Sequence, residues 1–365
     1  MAVEEPPQVI DADVHHGSLN MAAALSPHLS PSYREQLDEN GYVNGIGPFA
    51  YDGGVRGWRP EDIGPEIPLQ QPPGGAVAWD VEATSQRLWT ERSLELAILT
   101  GGPVYGAAAM PDLDYASAIC RAFNNWTIET WLASDPRYRF AMSVCSQDVD
   151  GAVAEIERIG SDPRICAVLL PTANSKHLGH RMFEPILRAA AERGLPVALH
   201  AGADGTGNLG PITSAGSPSH FVEEQMMQPG FYQVHLGSFV FEGVFNRLPD
   251  LKVALIGSGF SWLPAYLWRM DNDWKALRYH TPWVYHPPSE YIFDHVRFGT
   301  QPLEAAPSDE GFDSILEWVH ARRTVFFASH FPHLDGEEPA AVAKRLPAPL
   351  RKAVLSETAR ETFRL

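Results

Sequence analysis

Eight short, apolar, β-rich runs recur along this 365-residue sequence, near 8–13, 95–100, 139–144, 165–170, 196–200, 252–256, 295–299 and 324–328. Longer amphipathic stretches separate them, among them 114–133, 150–159 and 183–193, the last followed by Gly194 and Pro196 as a stop signal. Parallel strands need crossover connections of this kind, so the alternation predicts an α/β fold, a (β/α)8 TIM barrel forming one domain over residues 1–365. Such barrels commonly reach this length as one unit.

One span breaks the rhythm. Residues 16–92 are rich in Gly, Pro and aromatics, with Phe49, Tyr51 and Trp58 among them. A loop of this size inside a compact domain is usually a functional cover or a linker, and the aromatics favour an ordered lid over the barrel mouth. A second irregular segment, 202–218, follows the fifth run and is expected at the same face.

Bulk composition excludes several classes. A net charge of −17, from 28 basic against 45 acidic residues, repels phosphate backbones, and no cluster of Lys or Arg opposes it, so nucleic acid is not expected as a partner. No run approaches the ~18 consecutive apolar residues of a membrane span, and residues 1–7 carry neither a basic leader nor an apolar signal core, which predicts a cytoplasmic protein. Cys120, Cys145 and Cys166 lack metal-type or redox-type spacing and read as reduced, buried thiols.

The polar residues at the ends of the apolar runs carry the chemistry. In a strand alternate side chains share a face, so Asp11, Asp13 and His15 are expected to point together where the first strand emerges, at the end of the barrel where active sites sit. Several polar groups on one inward face are costly unless they bind something. His200 ends the fifth run and His330 the eighth, and barrel closure would bring both beside Asp13 and His15. Histidines and carboxylates converging on one mouth make a site for a first-row metal. Further candidate ligands are His220 and Glu223, three apart on a helical stretch that Pro229 and Gly230 are expected to interrupt, and His235 beyond it.

These residues resemble the amidohydrolase-2 family typified by aminocarboxymuconate semialdehyde decarboxylase. The resemblance spans nearly the whole chain, through Arg-Ala-Phe-Asn-Asn-Trp at 121–126, Glu223, His235, Gly-Val-Phe at 243–245 within 242–252, Trp-Leu-Pro at 262–264, Arg-Met-Asp at 269–271 and Pro-Ser-Glu-Tyr at 288–291. It implies a distorted (β/α)8 barrel with its metal at the C-terminal mouth. Asp13 and His15 fit a family variant in which a carboxylate replaces the first His of His-x-His. Two positions depart from the pattern: Gly257 stands where the sixth strand usually offers a ligand, and His330 where the eighth usually supplies an aspartate that also serves as base.

A hydrolase needs an electrophilic metal, a bound water and a nearby carboxylate base. A mixed histidine and carboxylate set with open positions suits ferrous iron and dioxygen instead. With His16, His220, His235 and His330 enriching the mouth in imidazole, the chain resembles the nonheme diiron monooxygenases of platensimycin and platencin biosynthesis. That resemblance implies two Fe ions, an external electron donor and hydroxylation of a C–H bond in a bulky apolar substrate, diterpenoid in type and conceivably linked to coenzyme A. Arg56, Arg59 and Arg269 are the conceivable phosphate partners, and aromatics near Trp274 and Trp283 would suit a homodimer contact. The alternative is a mononuclear Zn or Mn enzyme of the family's ordinary kind, a hydrolase or nonoxidative decarboxylase, with His333 or Glu223 as base. A third reading, kept open by Gly257, is a degenerate barrel that has lost its metal and serves as a scaffold.

Overall fold

The computed structural model describes residues 8–18, 20–40, 79–205, 209, 212, 213, 215–304, 306–333 and 335–365. Most of the expected lid, with Phe49, Tyr51, Trp58, Arg56 and Arg59, lies outside these residues.

All eight apolar runs form strands: β1 (Ile10–Val14), β2 (Leu96–Leu99), β3 (Tyr138–Ser143), β4 (Ile165–Pro171), β5 (Val197–His200), β6 (Val253–Ile256), β7 (Val296–Gly299) and β8 (Val325–Phe326). Each pairs in parallel with its sequence neighbour. The ring closes where β1 meets the chain leaving β8: Ala12 N donates to the Phe327 carbonyl at 3.1 Å and His15 N to the Phe331 carbonyl at 2.8 Å. Helices Leu113–Thr130, Val149–Ile159 and Glu184–Glu192 occupy the expected amphipathic stretches. Asp112 and Asp148 accept N–H bonds at the N-termini of the first two, and Gly194, at φ +67°, follows the third.

Two apolar layers result from strand alternation. Leu99, Phe140, Met142, Val168, Leu199, Val253 and Phe298 pack outward in the large cluster shared with the helices. Ile98, Ala141, Ala167, Ala198, Ala254 and Ile256 form a second cluster inside the barrel, where small residues suit the narrow ring. Alternation is broken where β3 meets β4, with Cys166 and Ala167 both in the inner cluster, and again in β1. Between Asp11 and Val14 three residues of β1 pass two of β2, a bulge, and Ile10 and Ala12 join the inner cluster. Asp11 is thereby separated from Asp13 and His15, with which strict alternation would have grouped it.

A second departure concerns the helix Phe221–Phe241, which continues through Pro229 instead of stopping there. Proline removes one ladder bond, but Tyr232, Leu236, Phe239 and Val240 beyond it are buried and hold that half of the helix against the barrel. No helix of the described residues is long and apolar enough to cross a membrane.

Candidate metal centre

Asp13 and His15 leave β1, His200 closes β5, and His330 follows β8, so strands far apart in sequence deliver four side chains to one end of the ring. One donor atom from each lies within 4.8 Å of the other three. His15 Nε2 is 3.3 Å from Asp13 Oδ1, and His200 Nε2 is 3.5 Å from Asp13 Oδ2. The His15 ring centroid is 5.0 Å from that of His200 and 4.9 Å from that of His330.

The outer nitrogens fix which donor each ring presents. His200 Nδ1 donates to the Ala201 carbonyl at 2.7 Å, and His330 Nδ1 faces Asp335 Oδ1 at 2.9 Å, which leaves Nε2 of each ring as the nitrogen turned toward the site. Asp13 Oδ2, His15 Nε2 and His200 Nε2 are buried without any hydrogen-bond partner. Several orphaned acceptors in one dry pocket are unfavourable unless a cation satisfies them, so the donor set fits a metal ion. Protonation points the same way. Burial alone pushes the Asp13 carboxyl up, but His15 and His200 more than reverse this and hold it well below the usual carboxylate range. Burial pushes His15 down to about 4, with Asp13 only partly opposing it, so the ring is a neutral donor at pH 7. One carboxylate and three imidazoles of this kind suit zinc, manganese or iron equally well by donor type.

Neighbouring groups pin the four in place. Thr100, at the exit of β2, donates to Asp13 Oδ1 at 2.8 Å. Asp11 Oδ1 accepts N–H from both Asp13 (3.1 Å) and Ser329 (2.9 Å), and Ser329 Oγ in turn accepts N–H from Phe331, so the bulged carboxylate ties β1 to the segment bearing His330. His330 itself sits at φ +61°, a left-handed conformation costing a non-glycine residue on the order of 1–2 kcal/mol. The His333 N–H bond to its carbonyl helps to hold it there. Tyr232 accepts N–H from Ala201 at 2.8 Å and donates to the Ile256 carbonyl, joining the exits of β5 and β6. Tyr105 covers the inner side, its ring 5.0 Å from His200.

The remaining candidates lie elsewhere. Glu223 is exposed and accepts N–H from Ser219 (2.7 Å) and His220 (2.9 Å), closing the N-terminus of the helix Phe221–Phe241. His-x-x-Glu spacing that suggests paired ligands is also the spacing of a helix cap. His220, at that cap, is exposed as well. His235 is buried, accepting from Leu178 N at 3.0 Å and donating to the Thr172 carbonyl at 2.8 Å. His16 bonds Thr127 Oγ1 at 2.9 Å and packs among Phe123, Trp126, Trp131 and Phe140. None of the four belongs to the cluster. Gly257 does face it: a Cβ there would stand 3.5 Å from His200 Nε2. Arg269 is exposed and faces Asp273, and the indole N–H groups of Trp274 and Trp283 donate to the Val284 and Phe241 carbonyls.

Thr100, Tyr105, Tyr232 and Asp335 were not anticipated. Thr100 and Tyr105 had a usable signal, since polar groups just beyond an apolar run stand at the mouth of a barrel. Tyr232 and Asp335 reach the site through tertiary packing, for which local sequence gives no sign.

A family model described as amidohydrolase matches residues 100–365. The chain belongs to that amidohydrolase family. No curated protein matches it in sequence. Solved structures share its amidohydrolase barrel over almost the whole length. The 5-carboxyvanillate decarboxylase of Sphingomonas paucimobilis is 18% identical with a TM-score of 0.68, covering 99% of this chain and 100% of its own. That of Novosphingobium aromaticivorans, complexed with manganese and 4-hydroxy-3-methoxy-5-nitrobenzoic acid, is 17% identical with a TM-score of 0.71, covering 99% and 97%. The 2,6-dihydroxybenzoate decarboxylase from Rhizobium is 17% identical with a TM-score of 0.67, covering 98% and 99%.

The expectation of an oxidoreductase, a diiron monooxygenase, is overturned by these structures, which are decarboxylases. Geometry gives the physical reason. A second iron needs a second set of donors, and among the described residues the histidines and carboxylates gather into a single group of four. Counting imidazoles along the chain overstated how many converge.

Proposed function

We propose that this amidohydrolase-family chain is a mononuclear, Mn- or Zn-dependent decarboxylase that acts without an oxidant on an aromatic carboxylic acid. Asp13, His15, His200 and His330 would hold the ion, whose contribution when bound is to neutralise the anionic substrate as a Lewis acid. The single observation carrying the reading is the four-donor cluster, the one such group among the described residues, with its orphaned Asp13 Oδ2, His15 Nε2 and His200 Nε2. The decarboxylases that share the fold, one of them with manganese, support it.

The donor set favours decarboxylation over hydrolysis on chemical grounds. Hydrolysis requires a base beside an attacking water, and the residue following β8 is an imidazole whose Nδ1 is already engaged by Asp335. Cleaving an aryl carboxylate needs no nucleophile. It needs the carboxylate held in a dry pocket and a proton delivered to the ring carbon as carbon dioxide leaves. Tyr105, buried beside His200, excludes water from the inner side. His333, whose ring lies 4.7 Å from that of His15, stands outside the ligand set; burial, with His330 and His15 beside it, holds its pKa well below the ordinary histidine value, so the resting ring is neutral and would relay a proton to the ring carbon instead of storing one.

The test is anaerobic incubation of the Mn-loaded and the metal-stripped protein with a panel of hydroxybenzoates, measuring carbon dioxide. Release that depends on the metal and not on dioxygen is expected. Cleavage of esters or amides by the loaded protein, with no carbon dioxide from any carboxylate, would replace this reading with the hydrolase.

A further inference from the structure

His330 and His200 both turn an outer nitrogen away from the site, but to different partners. His200 has a neutral backbone carbonyl, whereas His330 has the carboxylate of Asp335 at 2.9 Å. The second Asp335 oxygen receives Gln301 Nε2 at 3.2 Å, so both oxygens are directed. The intervening turn is built to return the chain: His333 N donates to the His330 carbonyl, Gly336 N to the His333 carbonyl and Glu337 N to the Ser329 carbonyl. A Cβ at Gly336 would meet the His333 carbonyl oxygen at 2.6 Å, so this return is tight.

Charge supplies the reason for a carboxylate there. Asp13 is the sole anionic ligand of the four, so a divalent ion would keep one uncompensated positive charge in a nearly sealed pocket where Asp13 is fully buried and His200 is 4% exposed. Asp11 is already committed to two backbone N–H groups and lies 4.0 Å from Arg92. A carboxylate on the far side of an imidazole fixes its tautomer and raises its basicity as a ligand.

We propose that Asp335 is a positioning residue for the metal centre, holding His330 in its Nε2-donor form and supplying through that ring the second negative charge the bound cation requires. The inference rests on reading Asp13, His15, His200 and His330 as ligands of one ion. Asp335 itself touches neither metal nor substrate.

The experiment is titration of Mn2+ into the full-length, metal-stripped protein against a competing chelator dye, with thermal melts confirming that each variant is folded. The wild type should bind one Mn2+ per chain. Asp335→Ala should weaken binding about 10- to 100-fold. Asp335→Asn, which can still accept the Nδ1 hydrogen bond without the charge, should fall between the two. In a His330→Ala background, Asp335→Ala should change the remaining affinity less than about threefold, because the partner through which it acts is gone. Equal Mn2+ affinity of the wild type and both single variants at 335 overturns the inference and leaves the metal site standing. An undiminished loss in the His330→Ala background also overturns it, since the role would then be general support of the loop. A wild type that binds no Mn2+ removes the site reading and the inference together.

Discussion

His333 lies almost flat against His330, ring centroids 4.1 Å apart at an interplanar angle of 14°. The stack brings a fourth imidazole to the mouth without adding a fifth ligand, because the metal-competent group comprises Asp13, His15, His200 and His330. A ring held beside the ligands but outside them can carry a proton without surrendering the cation. His333→Leu should therefore retain one Mn2+ per chain while kcat for carbon dioxide release falls on the order of 10²- to 10⁴-fold, the usual worth of a positioned group that relays a proton. Metal analysis alongside steady-state kinetics checks this. Loss of the metal together with activity would make His333 a support for His330 instead.

Removing a ligand should uncouple stability from metal. An ion that binds only the folded chain stabilises it by about 2.7 kcal/mol at a hundredfold excess over Kd. The wild type should accordingly melt at a higher temperature with Mn2+ than with chelator. His200→Ala, lacking one of the orphaned nitrogens, should show almost no such difference. Differential scanning fluorimetry with and without chelator measures both.

Much of this architecture could be read from the chain before any coordinates. The eight apolar runs became the eight strands because buried parallel strands demand continuous hydrophobic stretches, and Asp13, His15, His200 and His330 were legible as polar groups at their exits. What failed was whatever depended on more than local pattern. The bulge in β1 separated Asp11 from its neighbours, and nothing in an alternating sequence announces an extra residue between two strands. Glu223 was misleading because a capping glutamate and a helix-borne ligand share one spacing. The chemistry was misjudged for a related reason: the histidines of this chain are numerous, but His16 and His235 serve packing and backbone bonds, so their number carried no information about how many ions the mouth can hold.

Gly257 bears on both folding and the site. Its φ of +73° costs an alanine about 1–2 kcal/mol, and a Cβ would stand 3.3 Å from the Tyr232 hydroxyl and 3.5 Å from His200 Nε2. Gly257→Ala is expected to lower stability by that amount in urea denaturation. It should also weaken Mn2+ binding about tenfold or more, equivalent to ~1.4 kcal/mol, by crowding the donor nitrogen. Unchanged affinity in a destabilised variant would show that position 257 matters only to the backbone.

Glu337 should make the barrel rim sensitive to pH. Burial raises its carboxyl from the ordinary 4.5 to about 7, although Leu303 N donates to one oxygen, while the other oxygen has no hydrogen-bond partner. The folded chain thus keeps a proton there that the unfolded chain releases. Stability contributed by this group is complete below about pH 4.5 and declines until about pH 7, a loss of about 3 kcal/mol at most. Glu337→Gln preserves the acceptor for Leu303 and cannot ionise. Urea denaturation at pH 5 and pH 8 should show the variant losing less stability than the wild type over that interval, and exceeding it at pH 8. Parallel curves for the two proteins would mean that Glu337 ionises in the folded state as freely as in water.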